Sequence, residues 1–400
     1  MELSILLYNI GKWFGLIGFA SLTFLIFSGD TARFWDRLFG LDKIIKFQRK
    51  FALFPSFFVI FHPVLFVLSG GKIFNYIVPD FSVLPLALGI IALYIFIGVM
   101  FASYMYKKIS YTVWQYIHIL TYILFLLGIY HAFYWGSDSD NTFIQILYIF
   151  SLVLFIIGVV YRTQYKIRKI YSGKSFVDYI KWETKDTFIL DIRSEKKIKF
   201  KAGQFCFLRL NKNKLHARHP FTIASSPEDK LLRFIIKNTG RFTQTASKLK
   251  RGEEVLIDGP FGTFIEKDNK KDLVFIAGGV GITPFISMIN DHISKNKNQN
   301  ITLLYGSKTQ KDIIFRKELD LINKNWLKII YILNQESPNS KDNNFEYGYI
   351  TKEILQKYIK DLNNSDYYIC GPVKMKDLAL EILNDLKVNR KNVYFEDFFW

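Results

Sequence analysis

Up to about Tyr161 the chain alternates long uncharged stretches with short charged ones, and beyond Arg162 charges recur every few residues. Five apolar stretches are long enough, or nearly so, to cross ~30 Å of hydrocarbon at ~1.5 Å per residue. They are Leu3–Ser28, Phe51–Gly70, Phe81–Tyr106, Ile109–Gly136 and Thr142–Tyr161. Basic clusters follow the first, third and fifth: Lys43, Lys46, Arg49 and Lys50, then Lys107 and Lys108, then Arg162, Lys166, Arg168 and Lys169. By the positive-inside rule those ends and the C-terminal half share one side, the cytoplasmic one, which puts the N-terminus outside. Lys12 lies near the outer end of the first stretch and can snorkel, and Trp13, Trp35, Trp114 and Trp135 sit near span ends, as interfacial belts do. The N-terminus is apolar from Leu3 without a basic leader, so it reads as a retained span rather than a signal peptide.

Past Ile170 the periodicity becomes strand-like. Thr187–Arg193, Lys196–Phe200 and Phe205–Leu210 read as strands, and Gly259-Pro260-Phe261-Gly262 closes the segment, predicting a small antiparallel β-barrel. Leu273–Ala277 is then a buried-strand run entering Gly278-Gly279-Val280-Gly281-Ile282-Thr283-Pro284 and an apolar helix. Apolar strand, glycine turn and helix together present backbone N–H groups to a phosphate. Two further runs repeat that logic, Ile301–Tyr305 into Gly306-Ser307-Lys308 and Tyr367–Cys370 into Gly371-Pro372. Three such loops at one edge predict a parallel-sheet α/β nucleotide domain. The fold class is therefore multidomain: a helical transmembrane bundle of about five spans over 1–170, an antiparallel β-barrel over 171–268, and an α/β parallel-sheet domain over 269–400.

The net charge of +18 invites a nucleic-acid reading, but the clusters that carry it flank the apolar stretches, which argues for a lipid membrane as the partner and against nucleic acid. Cys206 and Cys370 are too few for a disulfide framework and form no metal motif.

Within the spans the ionisable residues are His62, His118 and His131. Polar groups at membrane depth are costly and usually functional. No buried Asp, Glu, Lys or Arg accompanies these three in the sequence, which disfavours a proton relay and favours neutral imidazoles on haem iron. His118 and His131 share the fourth span thirteen residues apart, a rise of about 20 Å that suits one haem in each leaflet. Their side chains point about 140° apart on an ideal helix, and a π-bulge or bend at Gly128 would correct the facing.

The ordered set Arg218-His219-Pro220-Phe221-Thr222, Lys237 to Thr243, Gly-Pro-Phe-Gly, Gly-Gly-Val-Gly-Ile-Thr-Pro and Cys-Gly-Pro resembles the ferredoxin-NADP reductase superfamily. Behind a His-bearing membrane domain it resembles the ferric reductase and NADPH oxidase family, over nearly the whole chain. The resemblance implies FAD in the barrel and NADPH, or NADH, in the α/β domain, with haem b in the membrane. Arg218 would meet the FAD pyrophosphate, and Pro220, Phe221 and Thr222, in the strand that His219 begins, would line the isoalloxazine. Lys237 belongs to the same motif, while Gly240 and Thr243 would cradle the phosphates or ribityl chain. Gly278, Gly279, Gly281, Thr283, Pro284, Ser307, Lys308, Gly371 and Pro372 would hold the nicotinamide nucleotide. Thr222, near the flavin N5, together with Cys370 and Phe398 would stand at the reacting end. Phe398 would be the ring covering the flavin, although Phe399 and Trp400 follow where the family ends.

The membrane half departs further from the family, because the second span carries His62 alone. One His there, with Arg49 thirteen residues before it, is similar to the haem subunit of the bacterial periplasmic methionine-sulfoxide reductase system. By that comparison His62 and His131 ligate an outer haem, and His118 holds an inner one with an unusual partner, or none. The expected activity is electron transfer from NAD(P)H through FAD and haem to an acceptor across a bacterial inner membrane. Ferric iron or a ferric chelate is the first choice of acceptor, with oxygen, a quinone or a periplasmic protein as alternatives. A haem-free reductase anchored by its spans, or spans forming a proton or ion path, is the alternative of a different class. Ser307 and Lys308, with Lys311 and Arg316 nearby, favour NADPH over NADH.

Overall fold

The computed structural model describes residues 1–106, 108–136, 138–170, 173–210, 218–337 and 344–396. The chain divides into two compact units, Met1–Tyr171 and Ser172–Trp400.

In the first unit the helices are α1 (Glu2–Asp30), α2 (Ala32–Phe39), α3 (Leu41–Phe51), α4 (Leu53–Leu68), α5 (Phe74–Ile77), α6 (Leu84–Tyr104), α7 (Tyr111–Trp135) and α8 (Thr142–Ile170). Among the described residues, five helical segments are long and apolar enough to cross a membrane: Glu2–Asp30, Leu41–Leu68, Phe81–Tyr104, Thr112–Trp135 and Thr142–Lys169. Helices suit lipid because each satisfies its own backbone N–H and C=O groups. The main packings are α1 on α4 and on α8, and α6 on α7. Asp30, 4% exposed at the end of α1, accepts from Tyr122 of α7 at 2.7 Å and from Arg162 of α8 at 2.8 Å. That buried carboxylate ties three helices and lies just beyond the Leu3–Ser28 stretch read from the sequence. α7 stays α-helical through Gly128, where a Cβ would lie 3.6 Å from the Phe19 ring of α1. The bulge expected at Gly128 is absent, and the glycine serves close helix packing instead.

The second unit opens with β1 (Ser175–Trp182), β2 (Thr187–Ser194), β3 (Phe205–Leu210), β4 (His219–Thr222), β5 (Leu231–Lys237), the short α9 (Arg241–Ala246) and β6 (Val255–Phe261). Two antiparallel sheets, β1-β2-β5 and β4-β3-β6, are joined at both edges by the bridges Phe176↔Glu254 and Ile223↔Phe234, closing a barrel. The expected strand at Lys196–Phe200 is not formed, and Ile198 and Phe200 pack against the barrel core instead. β2 is buried over most of its length because both faces are covered. Phe188, Leu190 and Ile192 fill the barrel, while Ile189 packs into the core of the following sheet.

That sheet comprises β7 (Asp272–Gly278), β8 (Ile301–Ser307), β9 (Leu327–Leu333), β10 (Phe345–Tyr347), β11 (Ser365–Cys370) and β12 (Val393–Glu396), all parallel in the order β10-β9-β8-β7-β11-β12. The helices α10 (Thr283–Ser294), α11 (Arg316–Asp320), α12 (Lys352–Tyr358) and α13 (Val373–Asp385) accompany it. Along β7, Leu273, Phe275 and Ala277 join one buried cluster and Val274 and Ile276 the other. Burial on both faces makes such a strand a continuous apolar run rather than an alternating one.

Candidate functional site

Two sets of chemistry-bearing residues emerge, one in each unit. In the first, His62 of α4 and His131 of α7 face each other with ring centroids 6.4 Å apart and planes at 79°. His62 Nδ1 lies 2.8 Å from the Gly11 carbonyl and His131 Nδ1 lies 2.9 Å from the Pro85 carbonyl. A carbonyl only accepts, so each Nδ1 carries the proton and donates, leaving each Nε2 with its lone pair. Glycine on the neighbouring helix gives each ring its place: a Cβ at Gly15 would lie 2.6 Å from His62 Cε1, and one at Gly89 would lie 2.7 Å from His131 Cε1. Around the pair is a cavity of about 250 Å³. Leu16, Leu22, Val59, Ile90, Leu93 and Leu124 give it apolar walls, and Lys12 and Asp138 pair at its rim at 2.7 Å.

His118 is elsewhere. Its ring stacks on Trp114 at 4.0 Å. His118 and His131 thus address different neighbours, as the uncorrected helical azimuth requires. Arg49 lies over the Tyr106 ring at 5.5 Å.

In the second unit, β4 pairs with β3 in the register Leu208↔His219, Phe207↔Pro220, Cys206↔Phe221 and Phe205↔Thr222. The strand therefore begins beside Arg218 and ends on the nearly buried Thr222. Arg218 donates from Nη1 to Asp258 of β6 at 2.9 Å; Asp258 is 4% exposed and opposes Phe207 across the ladder. The carboxylate fixes the guanidinium at the head of β4. His219 stacks on Phe242 of α9 at 4.1 Å, Phe221 lies 5.8 Å from the same ring, and burial lowers the His219 pKa. Thr243 Oγ1 accepts from the N–H groups of Thr239 and Gly240 at 3.0 Å and donates to the Gly240 carbonyl at 2.9 Å, so its hydroxyl holds the turn itself. Lys237 ends β5 in a half-exposed ion pair with Asp186 at 3.2 Å.

The ends of the parallel strands come level, since Ala277 of β7 pairs with Cys370 of β11, and Gly278 pairs with Gly306 of β8. The loops there meet backbone to backbone: a Cβ at Gly371 would lie 3.0 Å from Gly278 N, and one at Gly281 would lie 2.8 Å from the Gly371 Cα. Gly279 to Ile282 form one 3₁₀ turn, and α10 starts at Thr283-Pro284, with the Thr283 hydroxyl donating to the Val280 carbonyl at 2.7 Å. N–H groups at such a turn suit a phosphate. Tyr305, which the sequence offers only as the end of a strand run, donates its hydroxyl to the Gly279 carbonyl at 3.2 Å and accepts from Ile314 N–H at 3.1 Å. Ser287 of α10 donates to the Ser225 carbonyl at 2.7 Å, and Ala224, Ile282 and Cys370 share one buried cluster, which brings the end of β4 to the nucleotide-type loops.

Ser307 is buried at the tip of β8 and Lys308 beside it is exposed. Glu336, also unforeseen, accepts from the Gln310 N–H of this loop at 2.7 Å. Arg316 is engaged by Gln310 at 2.7 Å and by Asp320 at 3.5 Å. Glu396 pairs with Cys370 across the sheet, and Phe398 lies outside the described residues.

Residues 14–129 match the family model of the ferric reductase like transmembrane component, residues 175–265 an FAD-binding domain, and residues 275–380 an oxidoreductase NAD-binding domain. The chain is similar to a subunit of the Na(+)-translocating NADH-quinone reductase of Pseudomonas aeruginosa, 29% identical over 194 residues, 44% of this chain and 48% of the relative. The Methylococcus capsulatus counterpart is 32% identical over 155 residues, 38% of each. The chain thus spans less than half the length of these curated relatives. Among solved structures, the FAD/NAD-binding domain of a nitric oxide dioxygenase from Vibrio cholerae matches with TM-score 0.51 at 20% identity, covering 57% of this chain and 99% of that one. A ferredoxin NADP+ reductase from Neisseria gonorrhoeae, solved with FAD and NADP, matches with TM-score 0.50 at 19% identity, covering 56% and 98%. At these identities the two structures show a shared fold. Membrane helices, an FAD-binding module and an NAD-binding module occur here on one chain.

Proposed function

We propose that this chain, a member of the ferric-reductase-like membrane flavoproteins with a ferredoxin-reductase-type C-terminal half, passes electrons from NAD(P)H through FAD to a haem b between His62 and His131. From there they reach an acceptor on the opposite side of the membrane. The division of labour assigns 1–170 to the haem, 171–268 to FAD and 269–400 to the nucleotide. It places the protein in a bacterial inner membrane with the C-terminal half cytoplasmic, on the strength of the basic clusters after the first, third and fifth spans.

The observation that carries the reading is the facing pair of imidazoles, each with Nδ1–H committed to a carbonyl and Nε2 left as a lone pair. His62 and His131 would hold a haem iron through Nε2, and their ring centroids lie 6.4 Å apart. The apolar walls and the glycines at 15 and 89 suit a flat macrocycle better than a proton path, which needs carboxylates or water. His118, stacked on Trp114, stands apart from this pair.

When bound, flavin takes a hydride and releases electrons singly, which a one-electron iron can accept. The chain's own residues do the positioning. Asp258 holds Arg218 for a diphosphate, and β4 offers Pro220 to Thr222 to a flat ring. The backbone of Gly278–Thr283 and Cys370–Gly371 forms the floor for a second nucleotide, with Cys370 and Thr222 at the reacting end. Burial of these strand ends keeps water from the transferred hydride.

The test is an anaerobic absorbance titration of the purified full-length protein with NAD(P)H. The proposal expects flavin bleaching followed by a sharpened b-type α-band and a Soret shift. Flavin bleaching with no haem absorbance would leave an anchored flavin reductase instead.

A further inference from the structure

The cavity around His62 and His131 reaches the end of the bundle where the start of α1 meets the α7–α8 loop, and its rim has a composition of its own. Tyr8 packs on Phe66 at 5.2 Å, Phe66 stacks on Tyr76 at 6.1 Å with planes 14° apart, and Phe66 lies 4.9 Å from His62. The ammonium of Lys12, which follows the carbonyl that holds His62, meets Asp138 at 2.7 Å. These are the only Lys, Arg, Asp or Glu side chains among the described residues lining the cavity.

We propose that this rim binds the terminal electron acceptor and that the acceptor is an uncharged, planar quinone-class molecule. The proposal rests on the electron path through the His62–His131 pair. Three features separate a quinone from the other acceptors. First, Lys12 and Asp138 cancel, so the rim exerts no net pull on an anionic ferric chelate. Second, ferric iron itself is a hard ion that asks for several oxygen donors. The one carboxylate here is already paired, and no group of three His, Cys, Asp or Glu side chains occurs among the described residues. Third, a contiguous aromatic surface holds a flat ring by dispersion and offset stacking. Tyr8 and Trp13, 42% and 56% exposed on a helix of spanning length, open that surface towards lipid, where such molecules dissolve.

The ion pair then has a chemical task. Lys12 donates a hydrogen bond to one quinone carbonyl, and Asp138 accepts from the hydroxyl that forms on reduction. The step balances as NAD(P)H + quinone + 2H⁺ taken up at the rim → NAD(P)⁺ + hydroquinone + H⁺ released on the nucleotide side. Two electrons arrive one at a time, both C=O bonds become C–OH, and the protons enter through Lys12, recharged from water by the half-exposed Asp138.

The test uses the full-length protein in quinone-free nanodiscs, with menadione and Fe(III)-EDTA as alternative acceptors and the intrinsic tryptophan fluorescence of Trp13 and Trp135 as the binding signal. Flavin bleaching and haem absorbance are recorded first on the same sample. If they fail, the electron path itself is wrong; if they hold, the result bears on the acceptor alone. The expected result is saturable quenching by menadione and NAD(P)H-driven turnover at least about tenfold faster with menadione than with Fe(III)-EDTA. Lys12→Met should raise the menadione KM and the quenching midpoint together by about tenfold or more, the usual effect of losing a hydrogen bond from a charged group. Asp138→Asn, at a more exposed site, should lower menadione kcat. Equal or faster reduction of Fe(III)-EDTA, or a menadione KM and quenching curve unmoved in both variants, overturns the proposal.

Discussion

Arg218, just ahead of β4, and Asp258, in β6, meet at 2.9 Å across the intervening β3, and the carboxylate is buried while the guanidinium remains about one-third exposed. A buried acid thereby aims a cation at the surface where β4 begins. Arg218→Ala should sharply lower FAD per protein, since the diphosphate loses a charge-assisted partner worth about 1.5–3 kcal/mol. It also takes the Arg218 guanidinium away from the buried Asp258, so thermal stability should fall as well. Asp258→Asn should weaken FAD binding less, and Arg218→Lys should rescue stability better than FAD affinity. Unchanged FAD affinity in purified Arg218→Ala would refute this assignment.

At the nucleotide floor, Gly281→Ala pushes a methyl group into the Cys370–Gly371 backbone. The two loops must part, so the KM for NAD(P)H should rise by about tenfold or more, a shift in binding of about 1.4 kcal/mol. FAD content should stay within error, because the barrel strands are not touched. A variant with wild-type KM would show that the two loops do not jointly hold the nucleotide.

The donor preference turns on Lys308 against Glu336. Lys308 suits a 2′-phosphate, but it is exposed, whereas Glu336 is fastened to the same loop through the Gln310 N–H at 2.7 Å. A fixed carboxylate accepts from a ribose hydroxyl and repels a phosphate. NADH should therefore have the higher kcat/KM, the reverse of what Ser307 and Lys308 suggest in the sequence. Glu336→Gln should narrow the NADH/NADPH ratio and Lys308→Glu should widen it. A wild-type preference for NADPH, or a ratio indifferent to both changes, contradicts this.

His219 gives the FAD-binding lobe a pH dependence. Burial lowers its pKa in the folded protein, so the unfolded chain binds the extra proton first as pH falls. Its contribution to stability is then complete above the unfolded value of about 6.5 and is lost as pH drops below it. Thermal unfolding followed by flavin release should be flat from pH 8 to 7 and fall towards pH 5. His219→Phe, which keeps the stack on Phe242, should remove part of that slope, and an identical slope would assign it to other groups.

Much of this architecture was legible because its causes are local. Uninterrupted apolar runs announced the spans, and strand–glycine–helix runs announced the loops at Gly278, Gly306 and Gly371. What escaped depends on long-range partners. Asp258 and Glu336 look like ordinary surface acids until the fold sets one beneath Arg218 and the other beneath Gln310. Asp30 falls just outside the Leu3–Ser28 stretch, and its partners, Tyr122 and Arg162, are far away in sequence. Gly15 and Gly89 matter only through the imidazoles that lean on them. Gly128, read as the site of a π-bulge or bend, is packed against Phe19. Lys237, placed by motif at the flavin, has Asp186 as its partner in the structure.

The central claim is that His62 and His131 together hold one haem, and haem per FAD in single variants measures it directly. A pyridine haemochromogen assay against flavin absorbance should show that His62→Ala and His131→Ala each lose the same haem, while His118→Ala retains it. Full haem occupancy in either of the first two variants would contradict the account.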